Sequence, residues 1–326
     1  MCNLPVRRHA LGVGLAVAIL AGCGAVNLTV PKTTVGTAQT RTPVPPGSWI
    51  LRGSSSDDLL YVGNIYNSSG FRNVYVFSYP SGKLVGTLTG FQNPRGLCAD
   101  KAGNVFITDL NASSIVEYGH GGNSPIQTLG DADQPTSCAV DARTSNLAVG
   151  NWDDTVFVYK KEKGTPKNYT IPFRADFAAY DDEGNLFVDG SGNPFKVVEL
   201  PKGGSVFQNI SLQGHTRGFA PAGLQWNNGE LVFGSSNPYQ YRCCGKFYRF
   251  KITGSTGEKA GTHVIRDSLA NFLIDGSTAI ITKEDDAIYF YDYPSGKYPI
   301  LTIKEPEYSA YGVAISVART GSHIRK

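Results

Sequence analysis

The chain has 326 residues, 41% of them hydrophobic and only 17% charged, with a formal net charge of +3. That length accommodates one large domain or two ordinary ones, and the near-neutral charge argues against a general nucleic-acid binder. Thirty-eight glycines and 11% aromatic residues suit a β-rich fold full of turns, and long amphipathic helix patterns are missing after residue 50.

Residues 1–22 read as a signal peptide. Arg7 and Arg8 precede a short apolar run from Ala10 to Ala21, too short to span a bilayer comfortably. The run ends in Leu20-Ala21-Gly22-Cys23, which resembles a bacterial lipobox. The resemblance implies lipidation of the Cys23 thiol after cleavage before it, hence an extracytoplasmic, membrane-anchored protein. With Gly24 following the lipid-bearing residue, the expected destination in a Gram-negative cell is the outer membrane. Losing Arg7 and Arg8 with the signal lowers the net charge to +1. Residues 23–57, rich in Thr, Val, Pro, Gly and Ser, read as a flexible tether, and 318–326 as a polar tail.

The domain expected between them, residues 58–317, is a repeat. The segment "VYVFSYPSGK" has counterparts in "SIVEYGHGG", "TVFVYKKEKG", "KVVELPKGG", "KFYRFKITG" and "IYFYDYPSGK", each an alternating strand followed by a Gly- or Pro-bearing turn. Their anchors, Tyr79, Tyr118, Tyr159, Leu200, Phe250 and Tyr293, are spaced by 39, 41, 41, 50 and 43 residues. A hairpin with an Asp/Asn/Gly turn precedes the anchor in the second to sixth units, as in "ADKAGNVFITD" and "YDDEGNLFVDG". Each unit therefore reads as a four-stranded antiparallel blade, and the period is that of a propeller. The first unit opens with a second strand, "LLYVGN", and the last is followed by an orphan first strand, "AYGVAISV". Pairing these two closes an all-β, six-bladed β-propeller, with the C-terminal strand completing blade 1.

The unit "NPRGLCADKAGNVFITDLNASSIVEY" (Asn93–Tyr118) resembles the NHL repeat, and residues 58–317 resemble the SMP-30/NHL/YncE-like superfamily of six-bladed propellers. Such propellers gather function on the face shared by the fourth-to-first and second-to-third strand connections, around the central channel. The residues expected there include Asn64, Asp109, Asn151, Asp189, Ser235 and Lys283 at the ends of second strands. Arg95, Thr136, Arg174, Arg217, Asn271 and Tyr308 lead into first strands, and His215 is the one histidine expected near this face. Arginines suit carboxylate or phosphate, and Asp or Asn oxygens suit a divalent cation. No cofactor is predicted outright; Ca2+ or another divalent metal in the channel, held by Asp109 and Asp189, is the alternative that resemblance to SMP-30 lactonases implies. The other reading of the same Asx residues is structural, as caps of the loops that follow them. Two long second-to-third strand loops carry Tyr66, Phe71, Tyr239 and Tyr241, either as a binding surface or as packing over the blade tops.

Cys98 and Cys138 lie in apolar strand-like runs and read as buried small hydrophobes. The adjacent Cys243 and Cys244 read as free or separately paired, with a vicinal ring as the minor alternative. No complete catalytic set is present: there is no G-x-S-x-G, no zinc spacing and no pair of histidines at ligand spacing. The expected function is an envelope-anchored binding module for a protein, peptide or small ligand on the loop face, with contact to membrane through the lipid anchor and none to nucleic acid. The alternatives are a metal-dependent lactonase or esterase resembling SMP-30 and, more weakly, a lyase.

Overall fold

The strand Asp58–Asn64 is apolar almost throughout. Successive strand side chains point to opposite faces, so such a strand must be covered on both. Leu59 and Tyr61 pack with Val105, Ile107 and Tyr118, while Leu60 and Val62 pack with Ile280, Ile288 and Phe290. The same division recurs in the other sheets. Hydrophobic clusters lie between successive blades, one joining Phe106 to Val149, the next Ala148 to Val188, then Phe187 to Phe233 and Val232 to Ile281. The core is thus a ring of inter-blade seams.

The computed structural model describes residues 47–65, 72–130, 133–192, 195–214, 219–236, 244–283, 287–304 and 309–319. Within them the strands form six sheets arranged as a six-bladed β-propeller. The inner strands, in ring order from blade 1, are Ala310–Ser316, Pro94–Ala99, Pro135–Val140, Phe177–Tyr180, Ala220–Asn227 and Asn271–Asp275, and each touches the next. The second strands are Asp58–Asn64, Val105–Asp109, Leu147–Asn151, Leu186–Gly190, Glu230–Ser236 and Thr278–Thr282.

The closure expected from the two incomplete ends is present. Ala310–Ser316 lies antiparallel to Asp58–Asn64, with Leu59 opposite Ser316, Val62 opposite Val313 and Asn64 opposite Ala310. Side chains pin the seam from outside. His120 places Nδ1 2.6 Å from Ser316 Oγ and Nε2 3.2 Å from the Ser55 carbonyl. Ser316 Oγ donates in turn to the Gly103 carbonyl, and the Ala318 amide donates to Asp58. Closure also makes the two blades that carry YPSGK neighbours, and Tyr79 in the first copy donates its hydroxyl to Asp275 at the end of blade 6's inner strand, 2.9 Å away.

Two features go beyond the four-strand unit. Trp49–Ile50, in the stretch expected as tether, add a fifth strand to the outer edge of blade 1. Ser211–Leu212 add a parallel one to the outer edge of blade 5.

The reading of Cys98 and Cys138 is corrected. They form a disulfide with Cα atoms 5.7 Å apart. Each sits on an inner strand, Cys98 opposite Phe106 in blade 2 and Cys138 opposite Val149 in blade 3. Inner strands of neighbouring blades converge at the axis, and that brings together two thiols 40 residues apart in sequence. Cys244 is also disulfide-bonded, while Cys243 lies outside the described residues.

Candidate loop-face site and central channel

Asx residues at the ends of second strands hold the backbone that enters the first strand of their own blade. Asp109 accepts the Gln92 amide on one oxygen at 2.8 Å and the Asn93 amide on the other at 2.6 Å. Asp189 accepts the Phe177 amide at 2.9 Å, and Asn64 accepts the Ser309 amide at 2.6 Å. Asn151 instead donates to Thr155 Oγ1 at 3.0 Å. All four are buried. Three polar atoms in this set have no partner among the described residues: Asn64 Nδ2, Asn151 Oδ1 and Asp189 Oδ2. Burial pushes the Asp189 carboxyl well above the usual range, and nearby Asp176 adds to the effect. At the equivalent position in blade 5, Ser235 donates to its neighbour's carbonyl; Thr136, at the start of blade 3's inner strand, has Oγ1 donating to the carbonyls of Gly150 and Ala175.

Of the three candidate arginines, the two within the described residues behave differently. Arg174 is ion-paired with Asp176 at 2.6 Å, and Asp176 also accepts the amide and hydroxyl of Ser191. Arg95 makes no ion pair among the described residues, and its buried Nε has no hydrogen-bond partner. What surrounds Arg95 is aromatic. Its guanidinium carbon lies 5.1 Å from the Trp152 ring centroid and 4.9 Å from that of Tyr311. Arg174 lies 4.5 Å from the same Trp152 ring. Tyr311, Arg95, Trp152 and Arg174 therefore form an arc across blades 1 to 4. Arginine beside an aromatic ring is attracted by the ring quadrupole and, unlike lysine, keeps planar donors for a second partner. Trp152 is 43% exposed, so the arc opens to solvent.

Neither aromatic member was among the expected site residues. The signal for Trp152 was its place directly after Asn151, at the start of a second-to-third strand connection. Tyr311 follows the first residue of the closing strand, so its place beside Arg95 depends on closure.

The central channel is a separate feature. Its cavity of about 390 Å³ is lined by inner strands of all six blades, from Gly96, Ser137, Phe177 and Asn271 near their starts to Ala99 and Tyr180 at their ends. The Cys98–Cys138 disulfide lies in its wall. None of Asn64, Arg95, Asp109, Asn151, Arg174 and Asp189 lines it. At the loop-face end the strands approach backbone to backbone: a Cβ on Gly96 would come within 2.5 Å of Ser137 Cα, and one on Gly312 within 2.0 Å of the Arg95 carbonyl. Asn271, which does reach the channel, accepts its neighbour Phe272's amide, and Gln225 bonds in both directions to Ile274 on the next inner strand. Among the described residues no group of three or more His, Cys, Asp or Glu side chains could hold a metal ion.

Cys23, Tyr66, Phe71, His215, Arg217, Tyr239, Tyr241 and Tyr308 lie outside the described residues.

No protein-family model and no curated protein matches the sequence. Among solved structures, a chain from the crystal structure of a nidogen/laminin complex is similar in fold, with a TM-score of 0.64 at 14% identity, covering 81% of this chain and all of that one. At that identity the similarity speaks for the propeller fold alone.

Proposed function

We propose that this propeller is a binding module of the bacterial envelope that presents its loop face to a partner. The observation that carries this reading is the arc of Tyr311, Arg95, Trp152 and Arg174, an aromatic and cationic surface open to solvent. Arginine and tryptophan are the residue types that most often anchor interfaces. The Cys98–Cys138 disulfide supports an oxidising, extracytoplasmic location. The lipobox-like Leu20–Cys23 supports a lipid anchor, at the outer membrane in a Gram-negative cell. The similar solved propeller comes from a protein–protein complex, which supports a protein or peptide as partner.

Membership of the SMP-30/NHL/YncE-like group is part of the proposal. The "NPRGL…D" pattern has a physical basis here, since Asp109 holds the two amides immediately before that unit's inner strand. A hydrolase resembling SMP-30 would need Asp109 and Asp189 turned to a metal, yet three of their four carboxyl oxygens already accept backbone amides and neither residue lines the channel.

The test is a photo-crosslinking residue placed at position 152 in cells expressing the full chain. The expected result is a discrete adduct that Arg95→Ala and Arg174→Ala weaken. Calcium-dependent turnover of lactones or esters by the purified chain, with no adduct, would overturn the reading in favour of the hydrolase.

A further inference from the structure

We infer that Arg95 is the anchor of a carboxylate-binding site between the rings of Trp152 and Tyr311. The inference rests on the loop-face reading above and names the ligand chemistry of that face.

A guanidinium removed partly from water needs compensation, and the usual compensation is a carboxylate. Arg174 has one in Asp176; Arg95 has none among the described residues. The two flanking rings restrict where the Arg95 head can go, while its buried Nε–H has no acceptor among the described residues. A cation held in place with a donor unused is preorganised for an oxyanion. The charge count favours carboxylate over phosphate. With Arg174 neutralised by Asp176, the arc retains one positive charge, which matches a monoanion. Arginine's fork also fits the two oxygens of a carboxylate side by side. The exposed Trp152 ring leaves an apolar shelf for the carbon chain that bears the acid.

A carboxylate can come from an acidic peptide or from a small organic acid, and the experiment separates them. The full chain is titrated at low salt with N-acetylated, C-amidated tetraglutamate and tetraglutamine, with glutarate and with inorganic phosphate, followed by calorimetry and by tryptophan emission. The expected result is binding of tetraglutamate or glutarate, whichever is the better source, and none of tetraglutamine. Arg95→Ala should weaken that binding by about tenfold or more, as expected for loss of a charged hydrogen bond. Arg95→Lys keeps the charge without the fork and should also weaken it, with its thermal melt showing that the fold is retained. Arg174→Ala should matter less. The inference is overturned if tetraglutamine binds as well as tetraglutamate, if phosphate binds more tightly than either acid, if both Arg95 variants bind like the parent, or if no carboxylate binds. If carboxylate binding fails while the crosslink from position 152 persists, the loop face still binds a partner of other chemistry. Loss of both sinks the loop-face reading as well.

Discussion

Replacing Cys98 and Cys138 together by alanine removes a covalent link between the neighbouring inner strands of blades 2 and 3. The bond closes a chain segment with a sequence separation of 40. A crosslink of that span restricts the unfolded chain by an amount equivalent to roughly 4 kcal/mol of native stability in the chain-entropy treatment. For a domain of this size each kcal/mol moves the melting temperature by about 2–4 °C, so the double variant should melt on the order of 10 °C lower. Alanine is the right replacement because Cys138 is buried and a serine would place a hydroxyl in an apolar seam. Reductant is the wrong perturbation, since Cys244 is disulfide-bonded too. The assay is a calorimetric or far-UV melt of parent and variant without reductant, beside peptide mapping after alkylation. A variant melting within about 2 °C of the parent would refute the reasoning, because the expected loss is several times that. So would alkylation of both thiols in the untreated parent.

Other expectations test the seam, the Asx caps, a titrating acid and the anchor. Gly312→Ala should destabilise the fold by about 1–3 kcal/mol or more, read as a lower denaturant midpoint, because the added Cβ on the closing strand would meet the Arg95 carbonyl of blade 2's inner strand. Asp109→Ala should cost about 2–4 kcal/mol by leaving the Gln92 and Asn93 amides without their carboxylate, and added calcium should not alter the parent's melt. Burial, then Asp100 and Glu117, pushes the Glu162 carboxyl up to about 7. The native state thus holds that proton more tightly than the unfolded chain, so stability should fall as pH rises from the ordinary carboxyl range through about 7, and Glu162→Gln should flatten that decline in melts between pH 5 and 8. Cys23→Ser should release the protein from the membrane fraction; unchanged partition would refute the lipid anchor.

The blades were legible because their signals are local. Alternating apolar residues and Asn, Asp or Gly turns specify strands and hairpins without reference to the rest of the chain. Even the ring could be inferred, because a missing strand at one end and a spare at the other are both visible in sequence. The role of the Asx positions was left open between ligand and cap, since an Asp that binds a cation and one that holds two amides look alike in sequence. Asp109 shows the second role directly.

The sequence by itself determined an all-β repeat of six units and a seam made from its two ends, because strand period and turn chemistry act over a few residues. Tertiary structure alone decided which residues from different blades meet. Cys98 meets Cys138, and Arg95 lies between Trp152 and Tyr311. The reason is that those distances depend on how inner strands of neighbouring blades pack against one another around the axis, which no single repeat encodes.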